Sequence, residues 1–264
     1  MMMKDRTVVI LAWILLNTAS AVAQNSSNPV LAGVWSSTVT SFNHSAWDIF
    51  DLFGCNCTPE TYDYLRGLLQ DPANDHLSAA ELQDMVVTFN RQAINDLLTD
   101  EGRRYEDVYD HADDPSILCE PFGVFRTILH NDPIHIEQTI DRIVITTEDL
   151  ASDRTIYMNT REHPEVPPTS LGHSIGWYED STLVIETVGV SANIADDNLG
   201  IHNSSQGTSI ERYTLSPDGR KLHLLFTLTD PVRYSAPLTL ERMRIFTPEV
   251  SIENAPCESI SGQF

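Results

Sequence analysis

The feature that most limits the fold is a series of short, strand-like segments, separated by tight turns, in the second half of the chain. Residues 216–219, Ser-Pro-Asp-Gly, separate two such segments and have the composition of a hairpin turn. Strands are predicted at residues 31–37, 123–130, 134–139, 142–147, 154–158, 182–190, 208–215, 221–229 and 238–246. This pattern favours a mainly β fold, an antiparallel sheet that closes into a barrel or folds into a sandwich. Because strands and helices do not alternate after residue 100, a doubly wound α/β fold is excluded.

A helical insert, about residues 45–100, interrupts the β pattern. Thr58 followed by Pro59 is typical of the N-cap and first position of a helix, here over residues 59–69. Ser78 with Glu81 three residues later predicts a capping box at the start of a second helix. We expect a helical hairpin that either covers one end of the β domain or acts as a lid over a cavity. The acidic residues 103–121 are predicted to be irregular.

The N-terminus has the composition of an export signal. A charged start is followed by an apolar run over residues 7–16 and by a small-residue segment ending at Ala23. The apolar run is too short to span a bilayer comfortably, so residues 1–23 are predicted to be a cleaved signal peptide rather than an anchor. Residues 24–264 then form a single exported domain, periplasmic or secreted, with no membrane insertion after cleavage.

The charge of the chain limits its partners. The formal net charge is −22, with 38 acidic and 16 basic residues that are scattered along the sequence. A solvated acidic surface disfavours nucleic acid and anionic membranes, both of which need basic patches. There is no Gly-rich phosphate loop, H-E-x-x-H motif, nucleophile elbow or dinucleotide fingerprint, and we expect no cofactor. The sequence specifies no oligomeric state.

Four cysteines, Cys55, Cys57, Cys119 and Cys257, remain after the signal peptide. Export permits disulfides, and an even number of cysteines allows complete pairing. Cys119 and Cys257 each begin a Cys-Glu pair, which favours a bridge between them and leaves Cys55 and Cys57 to pair with each other. The alternative, a metal site, needs further soft ligands, and none is close in the sequence.

The residues predicted to carry chemistry concentrate in residues 161–186. His163, His173 and His202 are expected in loops beside strands, where functional side chains often lie. We predict His173 as a general acid or base, His202 as its partner, and Arg161 as a clamp for an anion. The alternative is a purely structural role for these side chains. The spacing of the histidines is too irregular to predict a metal site.

Aromatic residues are interleaved with these histidines and predict an apolar pocket. The substrate-binding residues are predicted to be Trp47, Tyr157, Trp177, Tyr213 and Glu211. The same aromatic residues could simply fill the core of a barrel. Glu211 and Arg212 are adjacent on one strand, so only one of them can face the interior.

Several motifs of the chain resemble a family of exported bacterial proteins, many of which are hypothetical. The motifs are CEPFGVFR at 119–126, IEQT at 136–139, IYMNTREHP at 156–164, GHSIGW at 172–177 and STLVIET at 181–187. They are similar to the family patterns C-x-P-x-G-x-P-R, I-x-Q-T, R-x-H-P and G-H-S-I-G-x-W. The resemblance implies a lipocalin-like β-barrel and export. It also marks Arg161, His163, His173 and His202 as candidate functional residues, but it implies no particular reaction. Phe125 replaces the family's proline, and Asn159-Thr160 replaces its Asp-Gly.

The sequence therefore predicts an exported, cofactor-independent enzyme. A lyase or isomerase fits best, because neither reaction needs a covalent nucleophile or a redox cofactor. Its substrate is expected to be an apolar, aromatic small molecule, such as a lignin-type dimer, held in a barrel cavity. Two alternatives stay open: a passive carrier of a hydrophobic ligand and a metal-dependent hydrolase.

Overall fold

The structure is a computed structural model that describes residues 28–37, 55–110, 112, 114–148, 152–165 and 167–253. The strands are β1 Gly33–Ser37, β2 Ile134–Gln138, β3 Arg142–Thr147, β4 Arg154–Tyr157, β5 His173–Glu179, β6 Thr182–Val188, β7 Asn193–Asp196, β8 Ile201–Asn203, β9 Thr208–Leu215, β10 Lys221–Thr229 and β11 Leu238–Phe246. The α-helices are α1 Pro59–Gln70, α2 Ala79–Leu97, α3 Asp100–Val108 and α4 Val124–Leu129. Two 3₁₀ turns, Pro72–Asn74 and Pro115–Leu118, complete the elements.

Nine of the strands form a closed barrel in the order β1-β11-β10-β9-β6-β5-β4-β3-β2. Neighbouring strands are antiparallel, with the exception of the parallel pair β4 and β5. β7 and β8 form a separate two-stranded sheet. The predicted fold class, a mainly β lipocalin-like barrel with a helical insert, is confirmed, and the sheet closes rather than folding into a sandwich.

The barrel closes around alternate side chains of each strand, as the period of a strand requires. In β10, Leu222, Leu224, Phe226 and Leu228 face the interior and are fully buried. Residues from the rest of the chain fill the same core, including Trp35, the most bulky of them. The interior is therefore largely occupied by side chains, and this limits where a ligand of any size can bind.

The two predicted helices of the insert are confirmed. The Thr58 side chain accepts the backbone N–H of Thr61 at the start of α1, and Pro59 is its first residue. Ser78 and Glu81 form the predicted capping box of α2. The helices pack against each other around a second small core of Cys57, Tyr62, Leu65 and Val86. Residues 45–54 of the predicted insert lie outside the described residues.

Residues 123–130 were predicted as a strand, and this is wrong: the segment forms the short helix α4. All six of its side chains are buried, Arg126 and Thr127 included, so no exposed face sets a helical period in the sequence. The prediction of an irregular segment at 103–121 is also partly wrong, because α3 occupies its beginning. Thr99 caps α3, and two acidic residues in the first turn favour its N-terminus electrostatically.

Cys55 and Cys57 form a disulfide. Cys119 is also disulfide-bonded, and its predicted partner, Cys257, lies outside the described residues. The predicted signal peptide, residues 1–23, lies outside them as well. None of the described helices is both long enough and apolar enough to cross a membrane.

Candidate functional site

The candidate site lies on the outer face of the barrel where β4, β5 and β6 meet. Ser174 and Gly176 of β5 pair with inward-facing residues, so the alternate residues His173 and Trp177 face outward. Tyr157 of β4 and Glu186 of β6 both pair with the outward Ile175 and share this face. We call the group of Tyr157, Arg161, His163, His173, Trp177 and Glu186 the outer-face site.

The parallel pairing of β4 and β5 explains how the site is assembled. Parallel neighbours need a crossover connection, because the chain must return to the starting end of the sheet. Here the connection from β4 to β5 makes that crossover. Arg161 and His163 lie on this crossover, and their side chains contact β5 and β6 from above.

His163 and His173 form the centre of the site. Their Nδ1 atoms lie 2.8 Å apart, and their rings meet edge to face with centroids 5.0 Å apart. The Glu186 carboxylate lies 3.5 Å from Nε2 of His163, on the other side of that ring. The three side chains therefore form a line from carboxylate to imidazole to imidazole.

The surroundings of His173 favour its neutral form. Tyr157 stacks on its ring, with centroids 5.1 Å apart and an angle of 11° between the planes. Burial, and then the neighbouring His163, lower the pKa of His173 below its ordinary value. A neutral imidazole with one free ring nitrogen can accept a proton, which is what a general base requires.

Arg161 provides a positive charge beside the two histidines. One of its guanidinium N–H groups donates to the carbonyl oxygen of Gly176 at 3.0 Å, and the guanidinium lies 4.9 Å from the Trp177 ring. The carbonyl and the ring hold the side chain in place while leaving other N–H donors for an anion.

His202 does not join this site. It lies in β8, not in a loop, and is buried against the rings of Tyr105 and Tyr109 at centroid distances of 4.8 Å and 4.7 Å. The Tyr234 hydroxyl donates to its backbone carbonyl at 3.1 Å. The expected pairing of His173 with His202 is therefore replaced by the pairing of His173 with His163. An open crevice of about 280 Å³ is lined in part by Tyr105 and Tyr109.

Glu211 and Tyr213, predicted to bind substrate, lie inside the barrel instead. Glu211 is 0% exposed and accepts two hydrogen bonds from the Arg154 guanidinium, at 2.6 Å and 3.0 Å. The Tyr213 hydroxyl donates to the same carboxylate at 2.9 Å. The expected alternation is confirmed, because the next residue, Arg212, faces outward and pairs with Glu179. Trp47 lies outside the described residues.

Three arginines of the interior were not singled out from the sequence. Arg154, Arg242 and Arg244 occupy inward positions of β4 and β11 and are buried. The signal was available, since Arg242 and Arg244 continue the face that Leu238 and Leu240 begin in the same strand.

The outer-face site is not arranged as a metal site. Among the described residues, no group of three or more His, Cys, Asp or Glu side chains is positioned to hold a metal ion. His173 contacts Nδ1 of His163, whereas Glu186 approaches Nε2 of the same His163 ring. The three side chains therefore do not face a common point.

Comparison of the sequence with models of known protein families and with curated protein sequences finds no match.

Proposed function

We propose that the protein is an exported, cofactor-independent enzyme that performs general acid–base chemistry at the outer-face site. A lyase or isomerase acting on a small aromatic molecule is the reaction class that we favour. The observation that carries the proposal is the 2.8 Å contact between the Nδ1 atoms of His163 and His173, with Glu186 at the opposite nitrogen of His163.

The position of Glu186 determines which histidine is the base. A carboxylate beside Nε2 of His163 favours a proton on that nitrogen, so Nδ1 of His163 accepts. Nδ1 of His173 then carries the shared proton and donates it, and Nε2 of His173 keeps a lone pair. When Nε2 takes a proton from substrate, His163 and Glu186 stabilise the resulting positive charge. This is the role of an orienting carboxylate in other acid–base relays.

The side chains around the relay favour a planar substrate that develops negative charge. Tyr157 on β4 and Trp177 on β5 present partly exposed rings on the same face, and such surfaces bind apolar or aromatic molecules. Arg161, held over Trp177, supplies a cation for a carboxylate or an enolate-like oxygen. The described contacts of His163 and His173 include no Ser or Cys side chain, which favours proton transfer over covalent catalysis.

The two alternatives receive less support. A carrier of a hydrophobic ligand would hold it inside the barrel, where Trp35, Phe125 and Phe226 are almost fully buried. The interior cavity beside Arg154 has only about 10 Å³ open to the centre of a water molecule. A metal-dependent hydrolase would need the donors of His163, His173 and Glu186 to face one point, and they do not.

The test is turnover of a library of lignin-type aromatic dimers and related aromatic acids, followed by chromatography and mass spectrometry. Wild type and His76→Gln, a change at an exposed histidine of the helical insert, should turn over the same compound. Loss of a general base should lower kcat by about 10²- to 10⁴-fold in His173→Gln. Glu186→Gln should retain more activity, because Glu186 only orients His163. Equal turnover by wild type and His173→Gln, or no turnover by wild type, would contradict the proposal.

A further inference from the structure

The interior of the barrel is positively charged although the whole chain carries a formal net charge of −22. Arg154, Arg242 and Arg244 are all at most 4% exposed. One buried carboxylate, that of Glu211, pairs with Arg154. Burying a charge without a partner is costly, so the two remaining arginines need compensation.

Arg242 is connected to a carboxylate through a chain of hydrogen bonds. Its guanidinium donates to Oδ1 of Asn56 at 2.7 Å and to Oδ1 of Asn131 at 2.6 Å. The Asn56 amide in turn donates to the Asp196 carboxylate at 2.7 Å. Arg242 therefore has an indirect path to a negative charge. Burial, and then Arg244, still lower its pKa to about 9.

Arg244 has no hydrogen-bonded path to a carboxylate, and the Asp132 carboxylate acts on it only through space. Its guanidinium donates only to backbone carbonyls, those of Asp132 at 2.8 Å, His130 at 3.0 Å and Ile128 at 3.5 Å. Among the described residues, no Asp or Glu side chain forms an ion pair with it. These three hydrogen bonds do not use all five N–H donors of the guanidinium. The group remains charged at neutral pH, although burial lowers its pKa to about 10.

A small cavity lies directly beside Arg244. Three isoleucines form its apolar lining, and its polar lining is Thr127, Thr147, Ser152, Arg154, Tyr213 and Arg244. The hydroxyls of Thr147 and Ser152 have no hydrogen-bond partner among the described residues, although the two residues are only 3% and 2% exposed. Buried polar groups in native proteins are almost always satisfied, so these two hydroxyls indicate that something occupies the cavity.

We propose that this cavity binds a small inorganic monoanion of halide size, which serves as the counter-ion of Arg244 and accepts hydrogen bonds from Thr147 and Ser152. About 10 Å³ is open to the centre of a water-sized sphere, which leaves room for one particle of about that size and excludes an organic acid. The inference is independent of the outer-face site, because the cavity is inside the barrel.

A buried water molecule is the competing occupant, and the chemistry of the lining disfavours it. Arginine can only donate hydrogen bonds, and the Tyr213 hydroxyl already donates to Glu211. Water could donate to the hydroxyl oxygens of Thr147 and Ser152, but it is neutral and brings no charge. An anion accepts from every donor and adds a negative charge to the through-space compensation that Asp132 gives Arg244.

The first experiment uses wild-type protein alone. Crystals soaked in sodium bromide should show an anomalous peak in the cavity, within hydrogen-bond distance of Arg244, Thr147 and Ser152. In solution, the unfolding midpoint should be about 5 °C higher in chloride than in isethionate at equal ionic strength, since isethionate is too large to enter. Absence of the peak together with equal midpoints in the two salts would overturn the proposal and leave a water molecule in the cavity.

Variants then test the residues. Arg244→Met should abolish the difference between chloride and isethionate. Arg212→Met, the same change on the outer face of β9, two strands away, should keep it. If Arg244→Met does not fold, the double variant Thr147→Val with Ser152→Ala keeps every charge and should need several-fold more chloride for the same stabilisation. An undiminished chloride effect in that double variant would place the ion elsewhere and contradict the assignment.

Discussion

The Nδ1 atoms of His163 and His173 lie 2.8 Å apart, so only one of them can carry a proton in the neutral pair. The two rings therefore hold opposite tautomers, and a change at one ring is transmitted to the other. A second proton at the shared position would set two N–H groups against each other, so the first added proton goes to Nε2 of His173. Burial and the neighbouring His163 oppose that proton and lower the pKa of His173.

We expect acidification to destabilise the fold through His173. Burial and His163 lower its folded-state pKa, while the unfolded side chain titrates near about 6.5. The unfolded chain thus binds more protons between those two pKa values. The stability contribution is fully present above about pH 6.5 and is lost as the pH falls through the folded pKa. Urea unfolding at several pH values should show a shallower dependence in His173→Gln than in wild type and His76→Gln. Parallel curves for all three proteins would contradict this.

Removal of the Tyr157 ring should raise the pKa of His173 toward its ordinary value. The stacked ring shields the imidazole from water, and burial is the largest cause of the lowered pKa. An NMR titration of the histidine Cε1 protons in Tyr157→Ala would measure this. Tyr64→Ala removes a ring that stacks on Phe89 in the helical insert and should leave the His173 titration unchanged. An unaltered titration in Tyr157→Ala would mean that the stacked ring does not desolvate His173.

Much of the barrel followed from the residues of single strands. The predicted bounds of β3, β9, β10 and β11 agree with the structure, because short runs rich in β-branched and apolar residues between turn residues mark strands. The alternation of side chains along a strand also predicted that Glu211 and Arg212 face opposite sides. α4 was mistaken for a strand because a short, wholly buried segment has no polar period to distinguish the two.

The candidate site was only partly predictable, because it depends on long-range topology. Arg161, His163 and His173 were singled out as neighbours in the sequence, but their contact requires the parallel pairing of β4 and β5. That pairing sends the crossover over the outer face, where Glu186 from β6 is already in place. Nothing in the sequence around His202 shows that it belongs to a different sheet.

Breaking the ion pair inside the barrel should be far more costly than breaking one on its surface. Arg154→Met would leave the Glu211 carboxylate buried without its cation, which costs about 3–5 kcal/mol. The double variant Arg154→Met with Glu211→Leu removes both charges and should recover most of that loss. Arg212→Met breaks the exposed pair with Glu179 and should cost about 0–1 kcal/mol. Urea unfolding measures all three, and similar losses for the buried and exposed pairs would contradict the expectation.

Gly172 should control the position of His173, which follows it directly. Its φ of +60° is left-handed, and a Cβ atom there would lie 2.5 Å from the carbonyl oxygen of Val188 and 2.8 Å from Cγ2 of Val190. Gly219 has a similar φ of +72° with nothing within 4 Å of its Cβ position, so Gly219→Ala isolates the cost of the backbone conformation. That cost is about 1–2 kcal/mol.

Gly172→Ala should lose more stability than Gly219→Ala, because the start of β5 must also move away from β6 to relieve the close contacts. The same movement lengthens the contact between His173 and His163, so the pKa of His173 should rise only in Gly172→Ala. Urea unfolding and the histidine NMR titration together measure both effects. Equal losses of stability, with His173 titrating as in wild type, would show that β5 absorbs the added methyl group without moving the histidine.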